Sequence, residues 1–357
     1  MSESSHRFFI DKSYGGCSGQ GTQEVTSIRW AAPLPYELRY PFDVLQAALP
    51  EIKAEGLHFY FTRDPHRLPE YGRHVVAVLL LDERFKMPVY GRHVRAVIRN
   101  LHEKPFLGWR PHWHIGRLEA VETLEYLRNL YLGGLTRLQF AYPSKIYPAP
   151  VQKWMHIFHI PLGYNRHEEL PQISMAERPL DAFFAGTVSD KELLRGYSRW
   201  TSTSKIRTRK QMWDVLLDLQ AKGKWNLDLG EQRDHQNITN LATYGSYSEK
   251  MMSSRICLAP RGSVAETFRA FEGLRSGCLV VTNPWPKDGY MRPNAPILVV
   301  DHWRDIEGIF KRYARDVDAL EQFRARSLAW WHDCLRPESI APRLADCLNK
   351  AGETLLA

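Results

Sequence analysis

Arg261, Gly262 and Ser263 stand between two apolar runs, and Arg269 and Glu272 follow a few residues later. These side chains could do chemistry on an anion and a polyol. The run before them, Ile256-Cys257-Leu258-Ala259, is short and closed by Pro260, as a buried strand would be. The run after them, Cys278 to Thr282, is apolar and β-branched. In between, Val264, Phe268, Phe271 and Leu274 recur at helical spacing. Ser263 precedes Glu266 with the spacing of a capping box, which predicts that the helix starts there. Gly277 sits where a left-handed C-terminal cap is wanted. Strand, crossover helix and strand imply a parallel pair with a right-handed connection. The strand-to-helix turn then offers free N–H groups and a helix dipole to an anion. Gly262 lets a ligand approach the backbone, and Arg261 can fork onto a phosphate. Arg269 and Glu272 share one helical face, where a carboxylate can accept from the vicinal hydroxyls of a ribose. The set predicts a nucleoside-diphosphate site at the carboxyl end of a parallel sheet. The plainer alternative is a surface ion pair beside an ordinary loop.

The run CLAPRGS…ETFRAFEGLRSGCLVVT resembles the C-terminal donor-binding segment of exostosin-like glycosyltransferases. The matching positions are Pro260, Arg261, Gly262, Arg269, Glu272, Gly277 and Cys278. The match extends over residues 255–283 and is loose elsewhere. It implies an α/β fold of GT-B type, with two Rossmann-like domains facing across a cleft, and a metal-independent enzyme using a nucleotide sugar. Fucosyltransferases using GDP-sugars have a comparable segment, but their acidic-Asn pair before the helix is missing here, so they rank second.

The elements that must position these groups are spread over 357 residues, enough for two domains. The resemblance and the composition together suggest an N-terminal acceptor domain over 1–165, a donor domain over 166–336, and a last helix, 337–357, packed back on the first domain. Phe8-Phe9-Ile10, Leu57–Thr62 and His74–Leu81 are predicted strands, and Pro41–Glu55 a helix. The continuous run from Val75 to Leu81 fits a strand buried on both faces. It ends at Asp82 and Glu83, where active-site acids gather in such sheets, so these two are the candidate bases. Ordinary solvation at a strand end explains them equally well. Gly91–Asn100 reads as a strand or a short helix. Ile160-Pro161-Leu162-Gly163-Tyr164 resembles the family's interdomain crossing, and Asp181–Gly186 its Phe-Ala-Gly strand. Arg207 and Arg209, just before a predicted helix at Gln211–Leu219, could reach a pyrophosphate, although a solvated charged face is the simpler reading. Asp316-Val317-Asp318 superficially matches a metal motif but lies between predicted helices and reads as surface charge.

A formal net charge of +8 favours acidic partners without marking a nucleic-acid arm, since no long basic run occurs. The glycines between Gly15 and Gly21 fit neither the dinucleotide fingerprint nor a P-loop. Five cysteines without a CxxC pair argue against a disulfide framework and a zinc knuckle. His112 and His114, beside Trp109 and Trp113, lack a nearby third ligand and read as aromatic lining. No signal-like or membrane-spanning run is evident, which predicts a cytoplasmic protein, with peripheral contact at the membrane face left open.

The expectation is therefore a hexosyl- or pentosyltransferase of polysaccharide biosynthesis that inverts the anomeric centre. Its donor would be a nucleotide-diphosphate sugar and its acceptor a glycan or lipid-linked glycan, with no cofactor, no metal and no nucleic acid. Arg261, Gly262, Ser263, Arg269, Glu272, Arg207 and Arg209 would hold the donor. Two rivals are a non-catalytic nucleotide-sugar or polyanion binder and a different two-domain Rossmann enzyme such as a dehydrogenase or epimerase.

Overall fold

The computed structural model describes residues 6–11, 22–25, 36–82, 87–101, 149–165, 170–188, 204–231, 241–262, 266–283 and 295–353. They divide into two compact units: 6–101, 149–162 and 335–353 form the first, and the described part of 163–334 the second. Each unit is built on a sheet with five parallel strands, so the chain is α/β.

In the first unit the sheet runs β2-β1-β3-β4-β5-β6. The strands are β1 (Arg7–Asp11), β2 (Thr22–Val25), β3 (His58–Thr62), β4 (Gly72–Leu79), β5 (Val94–Arg99) and β6 (Ile157–His159). Only β2 is antiparallel, pairing with β1. The segment 91–100, open between strand and helix on sequence, is therefore largely strand. Alternation along the strands sorts the core into two faces. Phe8, Phe59 and Phe61 stack with Phe42 of α1 (Arg39–Ala48) on one face, with Phe42 and Phe61 centroids 4.2 Å apart. Tyr60, Val75, Ala77, Leu79 and Val97 form the other. The last helix, α7 (Pro337–Glu353), belongs to this unit. Its Leu348 carbonyl accepts from Arg95 Nε at 2.8 Å, and Asn349 bridges Lys53 N and the Glu51 carbonyl. Pro337 opens α7, where a missing N–H is harmless.

The second unit is a doubly wound sheet in the order β11-β10-β9-β7-β8. Its strands are β7 (Leu180–Gly186), β8 (Leu227–Glu231), β9 (Ser254–Ala259), β10 (Leu279–Thr282) and β11 (Ile297–Val299), all parallel. Helices α2 (Ser204–Ala221), α3 (Leu241–Met252) and α4 (Phe268–Arg275) form the crossovers, and α5 (Ile306–Tyr313) and α6 (Val317–Cys334) follow β11. Ala182, Phe184, Ile256, Leu258, Leu279 and Val281 face one core with Met212, Leu216, Trp303 and Phe310. Phe183 turns the other way onto Tyr247, and Cys257 lies under Gly273, where a Cβ would come within 2.7 Å of its sulfur. A side chain at 273 would push α4 off the sheet. Cys257 and Cys278 are buried free thiols. Asp316 caps α6, its Oδ1 accepting from Ala319 N at 3.0 Å. A structural task thus accounts for one acid of the Asp316–Asp318 pair.

Among the described residues, no helix is long and apolar enough to cross a membrane.

Candidate active site

The strand order of the second unit locates its site before any side chain is considered. From β7 the chain steps to β8 on one side and then crosses to β9 on the other. In open α/β sheets, ligands bind outside the carboxyl ends of the two strands where the winding reverses. Here those ends are Gly186-Thr187 after β7 and Pro260-Arg261-Gly262 after β9.

The predicted βαβ unit is present, with β9 and β10 paired parallel from Leu279↔Ile256 to Thr282↔Ala259. Its helix starts later than the capping box implied. The N-cap of α4 is Thr267, in extended backbone with its Oγ1 accepting from Ala270 N. Glu266 is buried and precedes the helix, so it is not a residue of the first turn of α4. Thr267 is better placed because it directly precedes the apolar face of Phe271 and Leu274. The C-terminus matches the expectation. Gly277 has φ +71°, Gly277 N–H donates to Leu274 O at 3.0 Å, and Cys278 N–H to Gly273 O at 2.8 Å. That is a Schellman motif.

Arginines knit the switch point together. Arg209 reaches up from α2, donating from Nε to Arg261 O and from Nη1 to Thr187 O, each at 3.2 Å. One side chain thus ties the loops after β7 and β9. Asn283, just past β10, accepts from Arg261 N at 3.4 Å and donates to Thr208 Oγ1 at 3.4 Å. Arg269 donates from Nη2 to Ala185 O, and its guanidinium carbon lies 4.5 Å from the centroid of Phe184. Its buried Nε has no hydrogen-bond partner among the described residues. Gly186 makes that approach possible, since a Cβ there would stand 2.5 Å from Arg269 Nη2. Arg209 and Arg269 thus reach the ends of the two strands, and Arg261 stands buried in the loop after β9. Arg207 is half-buried one turn into α2. That helix begins at Ser204, so Arg207 and Arg209 lie within it and not before it as expected.

Glu272 is 9% exposed and does not pair with Arg269. Its Oε1 accepts from Asn165 N at 3.2 Å and its Oε2 from Tyr247 OH at 3.1 Å. An ionised carboxylate has about four acceptor positions, so two donors leave capacity for a ligand's hydroxyls. The plainer alternative of a surface ion pair does not apply to either residue.

The first unit holds a different group of acids. Asp82 is paired with Arg99 at 2.9 Å, and both side chains are buried, 8% and 7% exposed. Leu81 precedes Asp82 with φ +57°, its N–H held by Asn100 Oδ1 at 2.7 Å. This left-handed turn folds Asp82 back toward Arg99. Burial pushes the Arg99 guanidinium below its ordinary value, against the pull of Asp82 and Tyr90. Asp82 is thus placed as the counter-charge of a buried arginine. Glu83 and Ser263 lie outside the described residues, as do the glycines 15–21 and the residues 109–114.

Asp11, which sequence reasoning passed over as the end of a short strand, is a second acid at the carboxyl end of a parallel strand of this sheet. It ends β1 beside Thr62 at the end of β3, where a cavity of about 280 Å³ opens. Asp64 and Arg67 supply further polar walls, with Tyr60, Leu68 and Pro69. Thr62 Oγ1 lies 3.5 Å from Asp11 Oδ2 and accepts from Asp64 N at 3.0 Å. The signal was available, since an acid immediately after an apolar strand is the same pattern that singled out Asp82.

No protein-family model matches the chain, and no curated protein matches it. Among solved structures, an α-glucosyltransferase (AGT) in complex with UDP is similar at TM-score 0.44 and 10% identity, over 88% of this chain and 96% of that one. TarM is similar at 0.41 and 8% identity, over 92% of this chain and 59% of that one. The GtfA/B complex is similar at 0.39 and 12% identity, over 78% and 57%. The chain thus spans less than three fifths of the last two. The α/β assignment rests on the strand pairings.

Proposed function

We propose that the chain is a glycosyltransferase of GT-B type that takes a sugar from a nucleotide-diphosphate donor held by the second unit. The observation that carries this reading is that Arg209 and Arg269 reach the switch point between β7 and β9, where Arg261 stands in the loop after β9, with Glu272 on the same helix as Arg269. Guanidinium groups suit a diphosphate because their fork matches its oxygens and their charge cannot be lost. A carboxylate one helical turn on suits a ribose. Charge builds on the diphosphate as the glycosidic bond breaks, and fixed cations at that point lower the barrier. On this account the arginines replace a metal ion, and transfer is metal-independent.

Transfer with inversion requires a carboxylate to take the proton from the acceptor hydroxyl. Asp11 is the acid for that task, in the cavity of the first unit, and Asp64 and Arg67 are placed to orient an acceptor hydroxyl-rich ligand. The acceptor is a glycan or lipid-linked glycan, and the exostosin-like segment over 255–283 favours polysaccharide synthesis.

The test is a thermal-shift screen of the whole chain against UDP-, GDP-, CMP- and ADP-sugars, followed by an assay of nucleotide release. A ligand at 100 times its Kd stabilises by roughly 2.7 kcal/mol. Stabilisation by one nucleotide family, and release of that nucleotide with acceptor present, is the expected outcome. Binding without release under any acceptor would favour a non-catalytic binder. Stabilisation by NAD alone would favour a dehydrogenase or epimerase.

A further inference from the structure

We propose that His58, Glu70 and His74 form a binding site for one first-row divalent transition-metal ion, zinc foremost, in the first unit. His58 opens β3, His74 lies on β4, and Glu70 ends the loop between them. His58 Nδ1 is 2.8 Å from Glu70 Oε2, and His74 Nε2 is 2.5 Å from Glu70 Oε1. The three ligand atoms all lie within 4.8 Å of one another.

The donor set decides the class of ion. Two imidazoles and one carboxylate suit zinc and its neighbours, whereas calcium and magnesium demand oxygen shells. Zinc binds such atoms at roughly 2.0–2.2 Å, so tetrahedral ligand pairs stand roughly 3.4 Å apart. The two imidazole–carboxylate gaps need to widen by less than about 1 Å to admit the ion. The side chains can move that far, since His74 is 42% and Glu70 36% exposed. A further group orients the set, as Tyr60 OH donates to Glu70 Oε2 at 2.8 Å. Outer-shell hydrogen bonds of this kind fix a ligating carboxylate. The nearby cation, Arg7, is engaged by Glu24 through two bonds of 2.7 Å, which lowers its competition for Glu70. Bound metal would clip β3, the 63–71 loop and β4 into one piece. That clip lies at the amino ends of the strands, whereas Asp11 and Thr62 mark their carboxyl ends.

The experiment uses the full chain, with His112 and His114 both replaced by Ala so that only the proposed site is read. Chelator-stripped protein is loaded with Zn²⁺, desalted and its metal counted, and Co²⁺ is added as a spectroscopic probe. The expected result is one retained equivalent, visible d–d bands with Co²⁺, and a higher Tm with Zn²⁺ than without. His74→Gln, at an exposed position, should lose affinity by more than the roughly 10–100-fold of an outer-shell partner. Glu70→Gln keeps the shape and should lose it too. Equal affinity and stoichiometry in parent and His74→Gln would overturn the proposal. So would Co²⁺ binding without nitrogen-ligand bands in the parent, which holds even if a variant fails to fold.

Discussion

Glu272→Gln separates the two tasks given to this carboxylate. In the folded chain both its oxygens accept, from Asn165 N–H at 3.2 Å and Tyr247 O–H at 3.1 Å. A glutamine offers one oxygen and one NH₂, so whichever way the amide turns, a donor faces a donor. One hydrogen bond to a charged group is lost, roughly 1.5–3 kcal/mol, and the other weakens to a neutral bond. The expected destabilisation is about 2–4 kcal/mol at a site that is 9% exposed. Tyr247→Phe removes only one donor and should destabilise by about 1 kcal/mol. In the double variant the amide can turn its NH₂ toward the empty phenol position, so the costs should not add. A coupling of about 1 kcal/mol or more is expected, read from urea unfolding of the four proteins. Additivity within about 0.5 kcal/mol would refute the geometry. Nucleotide binding gives the second half. If the spare acceptor positions serve the ribose, Glu272→Gln should weaken nucleotide binding about 10- to 100-fold, as loss of a charge-assisted bond does. Tyr247→Phe should change it little. Equal affinities for all four proteins would make Glu272 a structural residue.

Gly186→Ala should move Arg269 off Ala185 O, because the new Cβ falls 2.5 Å from its Nη2, and calorimetry should show weaker nucleotide binding with a small change in Tm. Asp11→Asn should lower kcat with donor Kd unchanged, whereas Asp82→Asn should lower stability by roughly 3–5 kcal/mol by leaving Arg99 buried without its counter-charge. Arg178, fully buried with bonds of 2.8 and 2.6 Å to Ser254 O and Ser276 O, should unfold the second unit when changed to Ala, seen as a Tm loss. Chelators should leave transfer intact, and activity lost in EDTA and restored by Mn²⁺ would contradict the arginine-only account.

The sequence was most legible where local pattern and tertiary role coincide. The apolar runs at 256–259 and 278–282, and the glycine at 277 with φ +71°, each allow only one local structure. The start of α4 was misread because Ser263 and Glu266 satisfy a pattern that Thr267 satisfies better in three dimensions. The basic start of α2 looked solvated, yet Arg209 donates from Nε and Nη1 to two backbone carbonyls of distant loops. Asp82 and Asp11 carry the same sequence signature, and only the Arg99 contact and the cavity tell them apart. The switch point itself depends on strand order, which no local pattern encodes. His58, Glu70 and His74 meet across two strands and a loop, beyond the reach of any spacing rule.

The central claim is that a nucleoside diphosphate binds at the switch point of the second sheet. Titration calorimetry of UDP, GDP, CDP and ADP into the whole chain and into Arg261→Ala tests it most directly. The account predicts that at least one nucleotide binds the parent and that Arg261→Ala, with unchanged circular dichroism, binds it about 10- to 100-fold more weakly. A parent that binds none of the four, or a variant that binds as tightly as the parent, would contradict it.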